Sequence, residues 1–180
     1  VEHAFAAHGK KVVLWAVSFG PQYTLSFLHR MSQAWKEEHL AAFVASSPVW
    51  SGAPAAMAAY LSGIISEGGA NVTNGLVKQL ARASPSLVWA FPRAGTNRTV
   101  SWTRDDVLVA TQGRNYTAFD LGELLGKLGV SDTAAAEYDY LAHEPDLGGF
   151  APPGVDTLVT YGVGSPTTSS LAFADHDVSR

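Results

Sequence analysis

The chain has 180 residues, 47% of them hydrophobic, and a net charge of −4 at neutral pH. That is enough for one domain with a packed core, and the few, scattered basic residues argue against a nucleic-acid surface. Cysteine is absent, which excludes disulfides and thiolate metal sites within the segment.

Taken in order, residues 1–9 read as a helix closed by Gly9, so that the chain opens inside a helix. It does not begin with Met and shows no signal peptide, and it reads as a piece of a longer protein. Residues 12–16 are all apolar and read as a buried strand. Val17, Ser18, Phe19 and Gly20 follow as a turn, and Pro21 suits the first turn of a helix. Tyr23, Phe27, Leu28, Met31 and Trp35 recur at helical spacing and extend that helix to about His39 as a core stripe. Residues 40–47 read as a second buried strand, ended by Pro48, Ser51, Gly52 and Pro54. Strand, helix and strand make a βαβ unit, hence a parallel sheet.

After Gly52 the composition changes. Residues 53–65 read as a helix too short, and too interrupted by Pro54, Ser62 and Gly63, to span a membrane. A Gly- and Asn-rich loop at 66–75 and a short helix at 76–84 follow, with an aromatic segment at 85–92. Next come a strand at 107–111, a helix at 116–128 and another at 133–141. Residues 145–154 read as a loop, and 155–161 as a third strand of the first sheet. The organisation expected is a core with a sharp turn at 1–52, a mainly helical insertion at 53–153, and the core's return strand with its following loop at 154–180.

Ser18 is the candidate nucleophile. Ala16 and Gly20, two residues either side of it, give A-x-S-x-G, close to the G-x-S-x-G in which a strained strand-to-helix turn exposes a serine hydroxyl. The backbone N–H of Phe19, at the helix N-terminus, would point toward an oxyanion. The alternative for five residues alone is a structural serine in a tight turn. If the first reading holds, Ser18 should have a positive φ and be partly exposed. Asn71-Val72-Thr73, Asn97-Arg98-Thr99 and Asn115-Tyr116-Thr117 are glycosylation acceptors, which suggest a luminal or extracellular region in the secretory pathway.

Several stretches together resemble the lecithin:cholesterol acyltransferase family, which includes the group XV lysosomal phospholipase A2 and the phospholipid:diacylglycerol acyltransferases. They are Val13 to Gly20 with Tyr23-Thr24-Leu25, Gln33-Ala34-Trp35-Lys36, Trp50-Ser51-Gly52, Ser84-Pro85-Ser86 with Trp89-Ala90-Phe91-Pro92, Asn115-Tyr116-Thr117 with Asp120-Leu121, and Tyr161-Gly162-Val163-Gly164-Ser165-Pro166-Thr167. Two positions depart from the pattern. Val17 stands where the family has His, and Ser47-Pro48-Val49-Trp50-Ser51-Gly52 where it has Gly-Ala-Pro-Trp-Gly-Gly.

The resemblance implies an α/β-hydrolase core fragment with a cap insertion, and fatty acyl transfer from a phospholipid to a lipid alcohol through an acyl-enzyme on Ser18. It requires no metal and no organic cofactor. It implies a membrane or lipid-particle surface as the site of action, and an endoplasmic reticulum, lysosomal, vacuolar or secreted location. The family's oxyanion loop lies before Val1, and its catalytic Asp and His lie after Arg180, so the piece alone should be inactive. Asp175, His176 and Asp177 read as loop residues, neither triad nor metal site. Trp50 reads either as a wall for the acyl chain or as packing under the cap. Trp89 and Phe91 read as cap core, and Lys36 as a solvated lysine beside an anchoring Trp35. His3, His8, His29, His39 and His143 read as surface residues, and Glu37-Glu38 as a solvated face. Two other readings stand beside the transferase. One is a phospholipase or lipase that uses water as acceptor; the other is a catalytically silent, glycosylated lipid-binding relative, suggested by Val17 and Ser47.

Overall fold

The computed structural model describes residues 1–67, 70–95, 102–128, 136, 138 and 151–174. The chain divides into two compact units, Val1–Trp50 with Pro145–Ser165, and Ser51–Glu144 with Pro166–Arg180. No helix among the described residues is long and apolar enough to cross a membrane.

The first unit is α/β. Its sheet has the order β1 (Val12–Val17), β2 (Leu40–Ser46), β7 (Thr157–Thr160), and all pairs are parallel. These are the three strands expected from the apolar runs. Leu14 pairs with Phe43 and Ala16 with Ala45, and this face packs with Leu28 and Trp35 into one cluster. The opposite face of β1 differs from the buried strand expected. Val13, Trp15 and Val17 are exposed, Trp15 to 71%. The run is apolar enough for cover on both faces, as parallel strands usually have, but the described residues cover one.

The single helix expected to about His39 is two helices, α2 (Gly20–Arg30) and α3 (Gln33–His39). Met31 is extended at φ −92 and ψ 139, and the Ser32 side chain then caps α3 by accepting the Trp35 N–H at 3.2 Å. Leu25 and Leu28 are buried, while Tyr23 and Phe27 are exposed. Phe27 instead meets Trp35 edge-on, with ring centroids 5.7 Å apart.

Helix α1 (Glu2–His8) is tied to α3 by the Trp35 indole N–H, which donates to Glu2 Oε1 at 2.7 Å. His39 is not a surface residue, since it stacks on Trp35 and meets Phe5 edge-on. Nor is His29, whose Nε2–H donates to the Ala151 carbonyl at 2.9 Å. Lys36 is buried rather than solvated. Its ammonium donates to the Pro153 carbonyl at 2.8 Å, and Gln33 donates to Gly154 at 3.1 Å. Helices α2 and α3 thus grip three carbonyls of the segment that leads into β7. Glu37 and Glu38 are exposed, as expected.

The second unit is more mixed than a helical insertion. Helix α4 (Pro54–Ser62) ends before 65, and the expected loop is a hairpin, β3 (Ile64–Glu67) with β4 (Ala70–Thr73). Helix α5 (Gly75–Arg82) and a 3-10 segment (Pro85–Ala90) follow. Tyr60 and Phe91 cross edge-on at 5.3 Å in the core of this unit, and Trp89 is half-buried. A second small sheet has the order β6 (Asn115–Tyr116), β5 (Val109–Ala110), β8 (Leu171–Ala172); β8 lies where a loop was expected. The helix expected from 116 begins later. Tyr116 is strand, Thr117 and Asp120 form a reciprocal capping box around a 3-10 turn, and α6 (Leu121–Lys127) follows. Tyr138 Oη lies 3.0 Å from the carbonyls of both Pro92 and Ala118, and burial pushes its phenol pKa up. The rest of the 133–141 helix, His143, and residues 175–177 lie outside the described residues.

Candidate active site

Strand β1 ends at Val17, and Ser18 turns the chain at once with φ 57. An L-residue held there is strained by roughly 1–2 kcal/mol. Phe19 is already helical at φ −78 and ψ −23 and caps α2. Gly20 permits the crossing, because a β-carbon on it would stand 3.3 Å from that of Ala16 in the strand below. The N–H of Ser18 donates to Ser46 at 2.9 Å, one step beyond the ladder, and its carbonyl accepts from Val49 at 3.3 Å. The backbone is therefore held on both sides. The side chain is exposed and makes no hydrogen bond to any described residue.

The hydroxyl stands at the start of an 11-residue helix, where N–H groups lack partners within the helix and the dipole favours negative charge. Pro21 has no N–H, so Phe19 and Gly20 supply the donors of this first turn. The arrangement can present a serine oxygen and a nearby pair of backbone donors to an ester carbonyl. It offers no base, since no described residue takes the serine proton.

The loop after β2 lies against this turn. Ser47 also has a positive φ, 46, and its N–H donates to Thr160 at 2.6 Å. Ser46 Oγ accepts from the Trp15 indole at 2.9 Å and from Thr160 Oγ1 at 3.1 Å, so one hydroxyl links all three strands. Trp50 is half-buried, edge-on to Phe43 with centroids 6.5 Å apart, and packs on the core cluster of the sheet. Gln22, Ser46 and Val49 were not singled out from the sequence. The spacing Gln22, Leu25, Leu28 puts a polar side chain on the buried face of α2, and that was the available signal.

Of the three acceptor asparagines, Asn115 is exposed at the start of β6, Asn71 lies in β4, and Asn97 is outside the described residues.

Comparison of the sequence with known proteins points to one family. The family model described as "Lecithin:cholesterol acyltransferase" matches residues 1–146. The chain is 32% identical to the bovine protein named "Lysosomal phospholipase A and acyltransferase", with 98% of this chain and 42% of that protein covered. It is 31% identical to human "Phosphatidylcholine-sterol acyltransferase", with 98% of this chain and 38% of that protein covered. The chain thus spans about two fifths of the length of these relatives. It belongs to the lecithin:cholesterol acyltransferase family.

Proposed function

We propose that Ser18 is the nucleophile of a lipid O-acyltransferase, on the nucleophile elbow of an α/β-hydrolase core. The supporting observation is the left-handed Ser18 between β1 and α2, with an exposed and unbonded hydroxyl. Membership in a family whose relatives are named as phospholipase and acyltransferase supports lipid ester chemistry. Ser18 Oγ would attack an acyl ester of a phospholipid, its proton passing to a histidine oriented by an acid. The Phe19 N–H would stabilise the oxyanion. Collapse expels the lysophospholipid, which takes the proton, and leaves the acyl group on Ser18. A lipid alcohol then accepts the acyl group, or water does in the phospholipase reaction.

In this reading the base and its acid lie outside the 180 residues. Residues 53–153 are a cap between β2 and β7, and Trp50 lines the path of the acyl chain. Asn71, Asn97 and Asn115 carry glycans in the secretory pathway, and the enzyme works at a membrane or lipid-particle surface. The test compares the complete protein, its Ser18→Ala variant and the isolated 180 residues on a phospholipid with a radiolabelled acyl chain. The complete protein should transfer or release the label, and the Ala variant should not. The isolated chain should match the Ala variant, because an unassisted hydroxyl is a poor nucleophile. Turnover by the isolated chain well above that control would place a full catalytic set inside it and overturn the reading.

A further inference from the structure

We propose that Gln22 is a positioning residue that holds the loop after β2, and with it Trp50, in register with the Ser18 turn; the inference rests on the reading of Ser18 as nucleophile. Gln22 sits in the first turn of α2 and is 1% exposed, the only amide side chain among the fully buried residues described. Its Nε2 donates to the Val49 carbonyl. The N–H of Val49 in turn donates to the Ser18 carbonyl. Both hydrogen-bonding groups of one loop residue are therefore fastened to the same structure, one to the serine itself and one to the helix it begins.

The loop needs such a fastening. Pro48 has no N–H to give, and Ser47 is left-handed. Trp50 follows Val49 by a single peptide, so rotating the Val49 peptide swings the indole relative to Ser18. Burial alone does not explain a glutamine here. Its Oε1 is buried with no partner among the described residues. An apolar side chain of similar size would fill the space without stranding that oxygen. What the amide supplies is the donor to Val49.

The experiment uses the complete protein with p-nitrophenyl butyrate and p-nitrophenyl laurate, and reads the laurate-to-butyrate ratio of kcat/KM. Gln22→Leu keeps the volume and removes the donor. Its ratio should fall by at least about tenfold, the scale on which misplaced apolar contacts are felt. Gln22→Glu can donate to Val49 only while its carboxyl is neutral, and burial extends that state to higher pH. Its ratio should stay near wild type at about pH 5 and approach the Leu value at about pH 8. Taking a ratio cancels the titration of the catalytic base, which both esters share. Equal losses on both esters, with a parallel fall in Tm, would show a merely structural role and overturn the proposal, as would an unchanged ratio. Ser18→Ala runs beside them. If it keeps turnover, the reading of Ser18 fails; if it is dead while the Leu ratio is unchanged, only the role of Gln22 fails.

Discussion

Replacing Ser18 by Gly should make the protein more stable than replacing it by Ala. Ser18 sits at φ 57, where any residue with a β-carbon is strained. Removing the β-carbon relieves roughly 1–2 kcal/mol, and the extra freedom of glycine in the unfolded chain takes back about 0.5–1 kcal/mol. The net gain over Ala is about 0.5–1 kcal/mol, or on the order of 1–4 °C in Tm for a protein of this size. Ala is the right reference because the Ser18 hydroxyl has no partner among the described residues, so deleting it breaks no bond. Urea denaturation with a constant m-value, and calorimetry, give the difference directly. The sign separates the alternatives. At an ordinary extended or helical φ, glycine would be destabilising by roughly 0.5–1 kcal/mol relative to Ala. A Gly variant at or below the Ala variant would therefore refute the strained turn. Ser47, at φ 46, is an internal comparison and should show the same sign. Neither Ser18 variant should transfer an acyl group. The wild type would then hold strain at the candidate nucleophile, as functional turns do.

Gly154→Ala should destabilise by about 2–3 kcal/mol, combining left-handed strain with loss of the Lys36 bond to Pro153. At φ 73 its new β-carbon would stand 2.6 Å from both Gln33 Oε1 and Lys36 Nζ, and adding Lys36→Ala should remove the Lys36 share of the collision while leaving that with Gln33, as chemical denaturation of the single and double variants would show. Burial pulls the Asp120 carboxyl up, but the Thr117 N–H and hydroxyl and the Arg114 guanidinium outweigh it, so its pKa lies below the usual value. A carboxyl lowered on folding contributes its stability above an unfolded pKa of roughly 4 and loses it as pH falls through the folded value. Asp120→Asn should therefore flatten the acid limb of a stability profile in that window; an unchanged limb would show that Asp120 does not contribute to it. Asn115→Gln should remove one glycan when the protein is expressed through a secretory pathway, read as a mobility shift matched by glycosidase treatment.

What could be read in advance followed from runs and from punctuation. The apolar runs around Val13 and Phe43 and the alternating stretch around Leu158 located the three parallel strands, because each is short and bounded by turn residues. Ala16, Ser18, Gly20 and Pro21 marked a sharp turn, because those residue types fit its backbone and few others do. Pairing partners were less visible. Strand β8 is two residues long and gains its place only from β5, so Leu171-Ala172 carries no local signal of it. The hairpin at 64–73 was hidden by Gly68-Gly69 and Asn71, residue types that read as loop, although Asn71 lies within β4 and pairs with Ser66. The division of α2 from α3 was legible in principle, since Ser32 is a good cap, but the helical stripe running past it was the louder pattern.

Side-chain environments misled most where residue type was taken as a proxy for exposure. Lys36 and His29 carry polar ends, yet each spends its N–H on a carbonyl of the 151–154 segment, which has little secondary structure of its own to satisfy those groups. Carbonyls outside regular strands and helices need donors from elsewhere, and long side chains from a neighbouring helix can bring them across. The same logic connects the return segment to the candidate site. There, too, an irregular loop at the end of a strand is fastened by a helix side chain, with Gln22 reaching Val49. In both places the sheet supplies fixed strand ends and a polar residue on an otherwise buried helix face supplies the tie. A hydrophilic residue at a core-facing helical position therefore carries information of its own: it points to a loop whose carbonyl needs a donor. Beside Ser18 that loop carries Trp50, so a tie from Gln22 to Val49 fixes where the indole stands relative to the serine turn.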